Sequence, residues 1–216
     1  TMVFLSGRRP GRTAAVLMAT IALLGVAGCS GDGSAPTDGV SASSDEAGSR
    51  ATPFAAGPFV GSDEEFYVPP DPLPDGEPGE LIRVMDLGEA DGTKTVKVMY
   101  HSRDAADRDR AVTGLVTYPI GEAPKDGRPV VATAPGTVGL APQCGVSHQA
   151  KAAPDWGIDG VRVMTDYIGL GTEGGPLHPY FSKPSEGHSV IDGVRAARQF
   201  ADAHAGTRWL SVGHSQ

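Results

Sequence analysis

Two nearly unbroken apolar runs that each end in glycine, RPVVATAPG (128–136) and GVRVMTDYIGLG (160–171), constrain this chain more than any other feature. An apolar run without polar alternation suits a strand buried on both faces, and such strands belong to parallel sheets covered by other elements. The stretch SEGHSVIDGVRAARQFADAH (185–204) then reads as an amphipathic helix. It places Val190, Ile191, Val194, Ala197 and Ala201 on one face, with Arg195, Arg198, Gln199 and Asp202 opposite. Ser185 is expected to cap that helix, and Glu186 suits its first turn. RWLSV (208–212) is expected to be one more buried strand, and PQCGVSHQAKAAPDWGID (142–159) is long enough to hold a helix.

Upstream the pattern differs. LIRVM (81–85) is a short strand candidate, while TVKVMYHSRD (95–104) and AVTGLVTYP (111–119) alternate and flank a charged turn, so they read as a hairpin with Asp107 to Asp109 near its tip. FYVPPDPLPDGEPGE (66–80) is dense in proline and acid, which favours an extended arm over a surface. Hairpin strands followed by strand, helix, strand, helix, strand predict an α/β fold: a mostly parallel sheet with antiparallel opening strands.

Residues 2–29 read as an export signal. Arg8, Arg9 and Arg12 precede the apolar run AAVLMATIALLGVAG (14–28), which is too short and alanine-rich for a permanent span of about 20 residues. Val26-Ala27-Gly28 before Cys29 resembles the bacterial lipoprotein box, which implies that Cys29 is acylated and anchors the protein to a membrane; the other reading is an ordinary secretory signal and a secreted protein. Residues 30–58, rich in Gly, Ser, Ala and Asp, are expected to be a flexible tether, and 59–216 the folded domain. The net charge of −8 is spread without a basic stripe, which argues against a nucleic-acid partner. Cys144 is expected to pair with a cysteine in downstream sequence.

The last residues, Gly213-His214-Ser215-Gln216, fill four of the five positions of the G-x-S-x-G nucleophile elbow. In such a turn small residues flank a serine lifted clear of the sheet, and the next backbone amide, here that of Gln216, donates to an oxyanion. Gly187-His188-Ser189 repeats the tripeptide, but Ile191 occupies the second glycine's place and no strand precedes it. Ser215 is therefore the nucleophile candidate. All six histidines lie before or beside Ser215, whereas hydrolases with this elbow place the acid and then the histidine after the serine. The chain is accordingly expected to be the N-terminal part of a longer enzyme, inactive by itself. His188 and Asp192, one helical turn apart, make too weak a pair for a metal site, and no metal or other cofactor is expected.

Four linked motifs resemble one family: PGTVGLAPQC (135–144), TDYIGLGTEGGPLHPY (165–180), SVIDGVRAARQF (189–200) and VGHSQ (212–216). Together, over about residues 66–216, they resemble the secreted lipases of the Candida lipase A type, including their actinobacterial relatives. The resemblance implies an α/β-hydrolase fold with a lid inserted after the elbow, a serine ester hydrolase or lipase activity, and an acylglycerol or other acyl-ester substrate. It assigns the nucleophile to Ser215 and the first oxyanion element to Gly136 and Thr137, where Pro135 stands in place of the histidine common in relatives. Asp166-Tyr167 matches a motif whose role is expected to be a structural turn beside the site. Two other readings are a non-catalytic surface lipoprotein on the same scaffold and a peptidase of this fold.

Overall fold

The computed structural model describes residues 58–216. The expected leader, Cys29 and nearly all of the expected tether lie outside the described residues. Among the described residues no helix is long and apolar enough to cross a membrane.

Six strands form one open mixed sheet in the order β1-β2-β3-β5-β4-β6. They are β1 (Leu81–Ala90), β2 (Thr93–Arg103), β3 (Asp109–Pro119), β4 (Arg128–Ala134), β5 (Val161–Thr165) and β6 (Ala205–Gly213). The first three pair antiparallel, β3 also pairs antiparallel with β5, and β4 runs parallel to both β5 and β6. A short helix α1 (Asp63–Phe66) precedes the sheet, and α2 (Lys183–Ala197) lies between β5 and β6.

Both faces of the central strands are buried, as continuous apolar runs require. Val98, Tyr100, Val112, Val116, Val130 and Val163 point to the face on which α2 packs through Val194, Ala196 and Ala197. Their neighbours point the other way: Met99 joins Phe66 and Tyr67 under the N-terminal arm, and Leu115 with Met164 packs on Val146, Ala150 and Ala153. The β4–β5 connection therefore covers one face and α2 the other. The connections after β4 and β5 leave on opposite faces, which opens a crevice beyond the carboxyl ends of these neighbouring strands, next to the end of β6 and at the usual ligand site of an open α/β sheet.

Several expectations change in detail. β1 continues to Ala90 and forms a second hairpin with β2 through Asp91-Gly92, both at positive φ (50° and 72°), the signature of a two-residue turn with a matching twist. The segment 142–159 holds no α-helix but two 3₁₀ turns, Pro142–Cys144 and Val146–His148. Gly145, with ψ 134°, interrupts any longer helix, and the Ser147 amide donates to the Asp166 carboxylate (2.8 Å) in place of a helical carbonyl. β5 ends at Thr165, because Tyr167, Gly169 and Gly171 all take positive φ, which no strand accommodates.

In α2, Ser182 and not Ser185 holds the N-cap position, with Pro184 in the first turn. Ser185 lies one turn inside, where its hydroxyl accepts from the Ala105 amide (3.0 Å) and ties the helix to the β2–β3 turn. The helix stops at Ala197, and Ala201–Ala203 forms a separate 3₁₀ turn ending at His204 with φ 49°. Its buried face is also rotated from the expected one: Ser185, Ser189 and Asp192 face inward while Ile191 is 38% exposed. Among the described residues β6 lies at one edge of the sheet, with Trp209 44% and Leu210 36% exposed.

Candidate active site

At the carboxyl end of β6 the chain turns abruptly. Ser215 takes φ +71°, and the Gln216 amide donates to the His214 carbonyl (2.9 Å), closing a three-residue turn around the serine. The left-handed region costs an L-residue about 1–2 kcal/mol, and a γ-turn centred on positive φ is rare and strained. The strained serine is exposed at the end of a strand and beside the crevice, the placement expected of an elbow serine. The decoy is different: Ser189 is buried inside α2 and its hydroxyl donates to the Ser185 carbonyl (2.9 Å).

The segment after β4 comes to the same place. Ala134 pairs with Gly213, so the chains leaving β4 and β6 start side by side. A β-carbon built on Gly136 would stand 3.0 Å from the His214 carbonyl oxygen and 3.3 Å from Ser215 Cβ. Position 136 is thus glycine for space, since the two backbones approach too closely for a side chain to fit without displacement. Gly136 and Ser215, 79 positions apart in sequence numbering, are neighbours. Among the described residues the Gly136 and Thr137 amides donate to no protein acceptor. The Gln216 amide is engaged with His214, so it serves an oxyanion only when that short turn opens.

Three aromatic and imidazole side chains surround this pair. The Tyr167 hydroxyl donates to the Pro135 carbonyl (3.0 Å), and burial, with Glu186 adding to it, pushes that hydroxyl well above the usual phenol range, so it stays protonated and able to donate. Tyr180 Oη and Thr137 Oγ1 are 2.8 Å apart. Buried His178 places Nδ1 2.8 Å from the Ile168 carbonyl and Nε2 2.8 Å from the Gln216 side-chain nitrogen. That nitrogen also donates to Glu186 Oε1 (3.2 Å). Sequence reasoning did not single out Glu186, His178 or Tyr180 for the site. His178 and Tyr180 lay in a quoted motif, HPY, but nothing local indicates what they meet.

Asp166 lies one residue before Tyr167 and is fully enclosed. Its carboxylate accepts from Thr113 Oγ1 (2.6 Å), the Ser147 amide (2.8 Å) and the Ser147 hydroxyl. These contacts tie β3, the end of β5 and the loop after β4 together, and none of them involves Ser215. Cys144 is a free thiol here, the other cysteine being the undescribed Cys29.

A hollow of about 470 Å³ adjoins the elbow, lined by Tyr167, Phe181, Val190, Ile191, Trp209 and Gln216 among others. A second, of about 440 Å³, lies between the arm and the β2–β3 turn and is lined mostly by acids, including Asp75, Glu77 and Asp109. It shares no residue with the surroundings of Ser215, and its polar lining has no evident part in ester chemistry. Among the described residues no group of three or more His, Cys, Asp or Glu side chains could hold a metal ion. His188 bonds the Arg103 carbonyl, and Asp192 bonds Ser102 and Arg195.

No protein-family model matches the chain, and no curated protein does. Solved structures do. The rice cell wall degrading esterase LipA from Xanthomonas oryzae superposes with a TM-score of 0.52 at 19% identity, over 64% of this chain and 42% of that one. Candida antarctica lipase A superposes with a TM-score of 0.53 at 15% identity, over 70% of this chain and 38% of that one. At such identity the likeness is one of fold: an open mixed sheet of six strands with helices, of the α/β-hydrolase type. The chain spans about two-fifths of the length of these structures.

Proposed function

We propose that the complete protein is a serine ester hydrolase of carboxylic esters, lipase or esterase, with Ser215 as its nucleophile. The observation that carries this reading is the left-handed Ser215 at the end of β6, seated against Gly136 in a fold shared with lipases and esterases. In the proposed reaction Ser215 Oγ attacks the ester carbonyl carbon while a general base takes its proton. Collapse of the tetrahedral intermediate breaks the bond to the alkoxy oxygen, which leaves as the alcohol with that proton. Water then attacks the acyl-enzyme, releasing the acid and restoring the serine.

The base and its acid are assigned to the part of the protein that this chain does not span, because no described histidine reaches Ser215 by a hydrogen bond. The oxyanion is assigned to the Gly136 and Thr137 amides, with that of Gln216 joining when it releases the His214 carbonyl. Acyl-ester substrates of acylglycerol type, export, and membrane anchoring through acylated Cys29 belong to the same proposal and rest on the sequence motifs.

Turnover of p-nitrophenyl acyl esters by the complete protein tests it. Ser215→Ala should lower kcat by at least about a thousandfold and abolish fluorophosphonate labelling. Ser215→Gly should be equally inactive but more stable than Ser215→Ala by about 1 kcal/mol, since glycine carries no penalty at positive φ. Retained turnover in either variant would reject Ser215 as nucleophile.

A further inference from the structure

The segment that follows β5 folds back over the crevice and touches both halves of the site. Gly169 leaves the room for this: at φ +79° a β-carbon there would stand 2.5 Å from the His178 amide nitrogen. Past His178, Pro179 fixes one backbone angle, and the Tyr180 amide returns to the His178 carbonyl (2.9 Å). The result presents two side chains in different directions: His178 to the elbow through Gln216, and Tyr180 to the oxyanion segment through Thr137.

The proton positions in this network follow from its ends. The Ile168 carbonyl can only accept, so His178 Nδ1 carries the hydrogen. Nε2 is then left to face the Gln216 side chain as an acceptor. The Glu186 carboxylate also only accepts, so the Gln216 amide must present its NH2 group, with one hydrogen to Glu186 and one to His178. Glu186 is itself held by the Phe181 amide (2.9 Å). Every donor has one acceptor, and the orientation of each group is determined by its neighbour.

We infer that His178 is a positioning residue for the nucleophile: its Nε2 anchors the Gln216 side chain and so holds Ser215 at positive φ, also after the Gln216 amide leaves the His214 carbonyl for an oxyanion, while Tyr180 on the same segment holds Thr137 across the crevice. This inference rests on the ester-hydrolase reading. Without the anchor, the residue after the serine is free to rotate, and the backbone around Ser215 can relax toward ordinary φ. Misplacement of reacting groups by about 1 Å costs roughly a hundredfold in rate.

Three variants of the complete protein test it by ester kinetics and thermal unfolding. His178→Phe keeps the ring but removes both hydrogen bonds, and should lower kcat by about tenfold to a hundredfold with KM changed less than about twofold. His178→Gln, whose side-chain oxygen reaches the Nε2 position, should recover most of that loss. Tyr180→Phe should cost less, about threefold to tenfold. If Phe and Gln lose activity equally, in step with their loss of thermal stability, His178 is merely a packing residue and the inference fails.

An activity-free readout separates this from the wider proposal. In the wild-type protein the two-bond 1H–15N correlations of His178 should show the Nδ1–H tautomer, and Gln216→Leu should shift the Nε2 resonance. The opposite tautomer, or an unmoved Nε2 signal, overturns the inference whatever the activity. Absence of Ser215-dependent turnover with the expected tautomer present would overturn the hydrolase reading and the catalytic purpose of the anchor, leaving only the contact.

Discussion

Replacing Asp166 distinguishes a structural from a chemical role for the most enclosed carboxylate near the elbow. In Asp166→Ala, Thr113 Oγ1, the Ser147 amide and the Ser147 hydroxyl lose their acceptor, all in a region closed to water. A hydrogen bond to a charged acceptor contributes about 1.5–3 kcal/mol, and an orphaned buried amide costs about 1–3 kcal/mol. The desolvation of the carboxylate itself offsets part of this, so the contacts do not simply add. The expected net loss is about 3–4 kcal/mol. Asp166→Asn keeps one oxygen for the Ser147 amide, and the two hydroxyls can turn to accept from its NH2, so it should lose only about 1–2 kcal/mol. Urea unfolding of the complete protein followed by fluorescence measures both, with ester turnover per folded molecule measured beside it. A loss below about 1 kcal/mol for alanine would refute the role assigned to this network. An Asn variant of unchanged stability whose turnover falls about a thousandfold would instead make Asp166 part of the chemistry.

Gly171, at φ +79°, has Thr113 Oγ1 only 1.9 Å and Asp166 Oδ2 2.5 Å from where a β-carbon would stand. Gly171→Ala should therefore cost about 3–5 kcal/mol, backbone strain plus a disrupted Thr113–Asp166 hydrogen bond, and a urea midpoint within error of wild type would contradict the packing described. Acid should loosen the β2–β3 turn through Asp104. Its burial alone would raise it, but the Ala106 and Arg108 amides and the Arg110 and Arg108 guanidinium groups outweigh that and lower it from 3.8 to about 2. A carboxyl lower in the folded than the unfolded state stabilises the fold above the unfolded value, and that contribution is lost as pH falls from about 4 to about 2. Asp104→Asn should flatten the stability profile across that window, and an unchanged profile would count against the network.

The strands themselves, the β2–β3 hairpin and the parallel pairing of the last three were legible because both-face burial leaves continuous apolar runs, and because β2 and β3 flank a charged turn. The β1–β2 hairpin was equally available: Asp91-Gly92 between alternating residues is a strong short-range signal, overlooked beside the longer patterns. Elsewhere polarity misdirected. Ser185, Ser189 and Asp192 face the sheet because each finds a partner there: Ser185 with Ala105, Ser189 with its own helix, and Asp192 with Ser102 and Arg195. Burial pushes the Asp192 carboxyl upward while Ser102 and Arg195 oppose it, so a satisfied acid occupies what apolar periodicity assigns to valine or isoleucine. The missing helix at 142–159 has the same origin, since its would-be helical amide at Ser147 is claimed by an acid 19 residues away.

The geometry of the candidate site was legible where it depends on a small residue at a strand end and opaque where it depends on distant side chains. Glycine at 136 marks a close approach to His214 and Ser215, whereas a β-carbon at Gly213 would meet only Ala134 Cβ at 3.4 Å, an ordinary contact. The contact of Gln216 with His178 spans 38 residues and that of Tyr180 with Thr137 spans 43, and neither leaves a local period or spacing. Yet these contacts are what a strained serine requires. An L-residue relaxes out of positive φ unless its surroundings determine the turn from both sides, so the energy stored at Ser215 must be matched by hydrogen bonds made around it. The elbow motif thus names the residue that carries the strain, while the residues that hold it there belong to the fold.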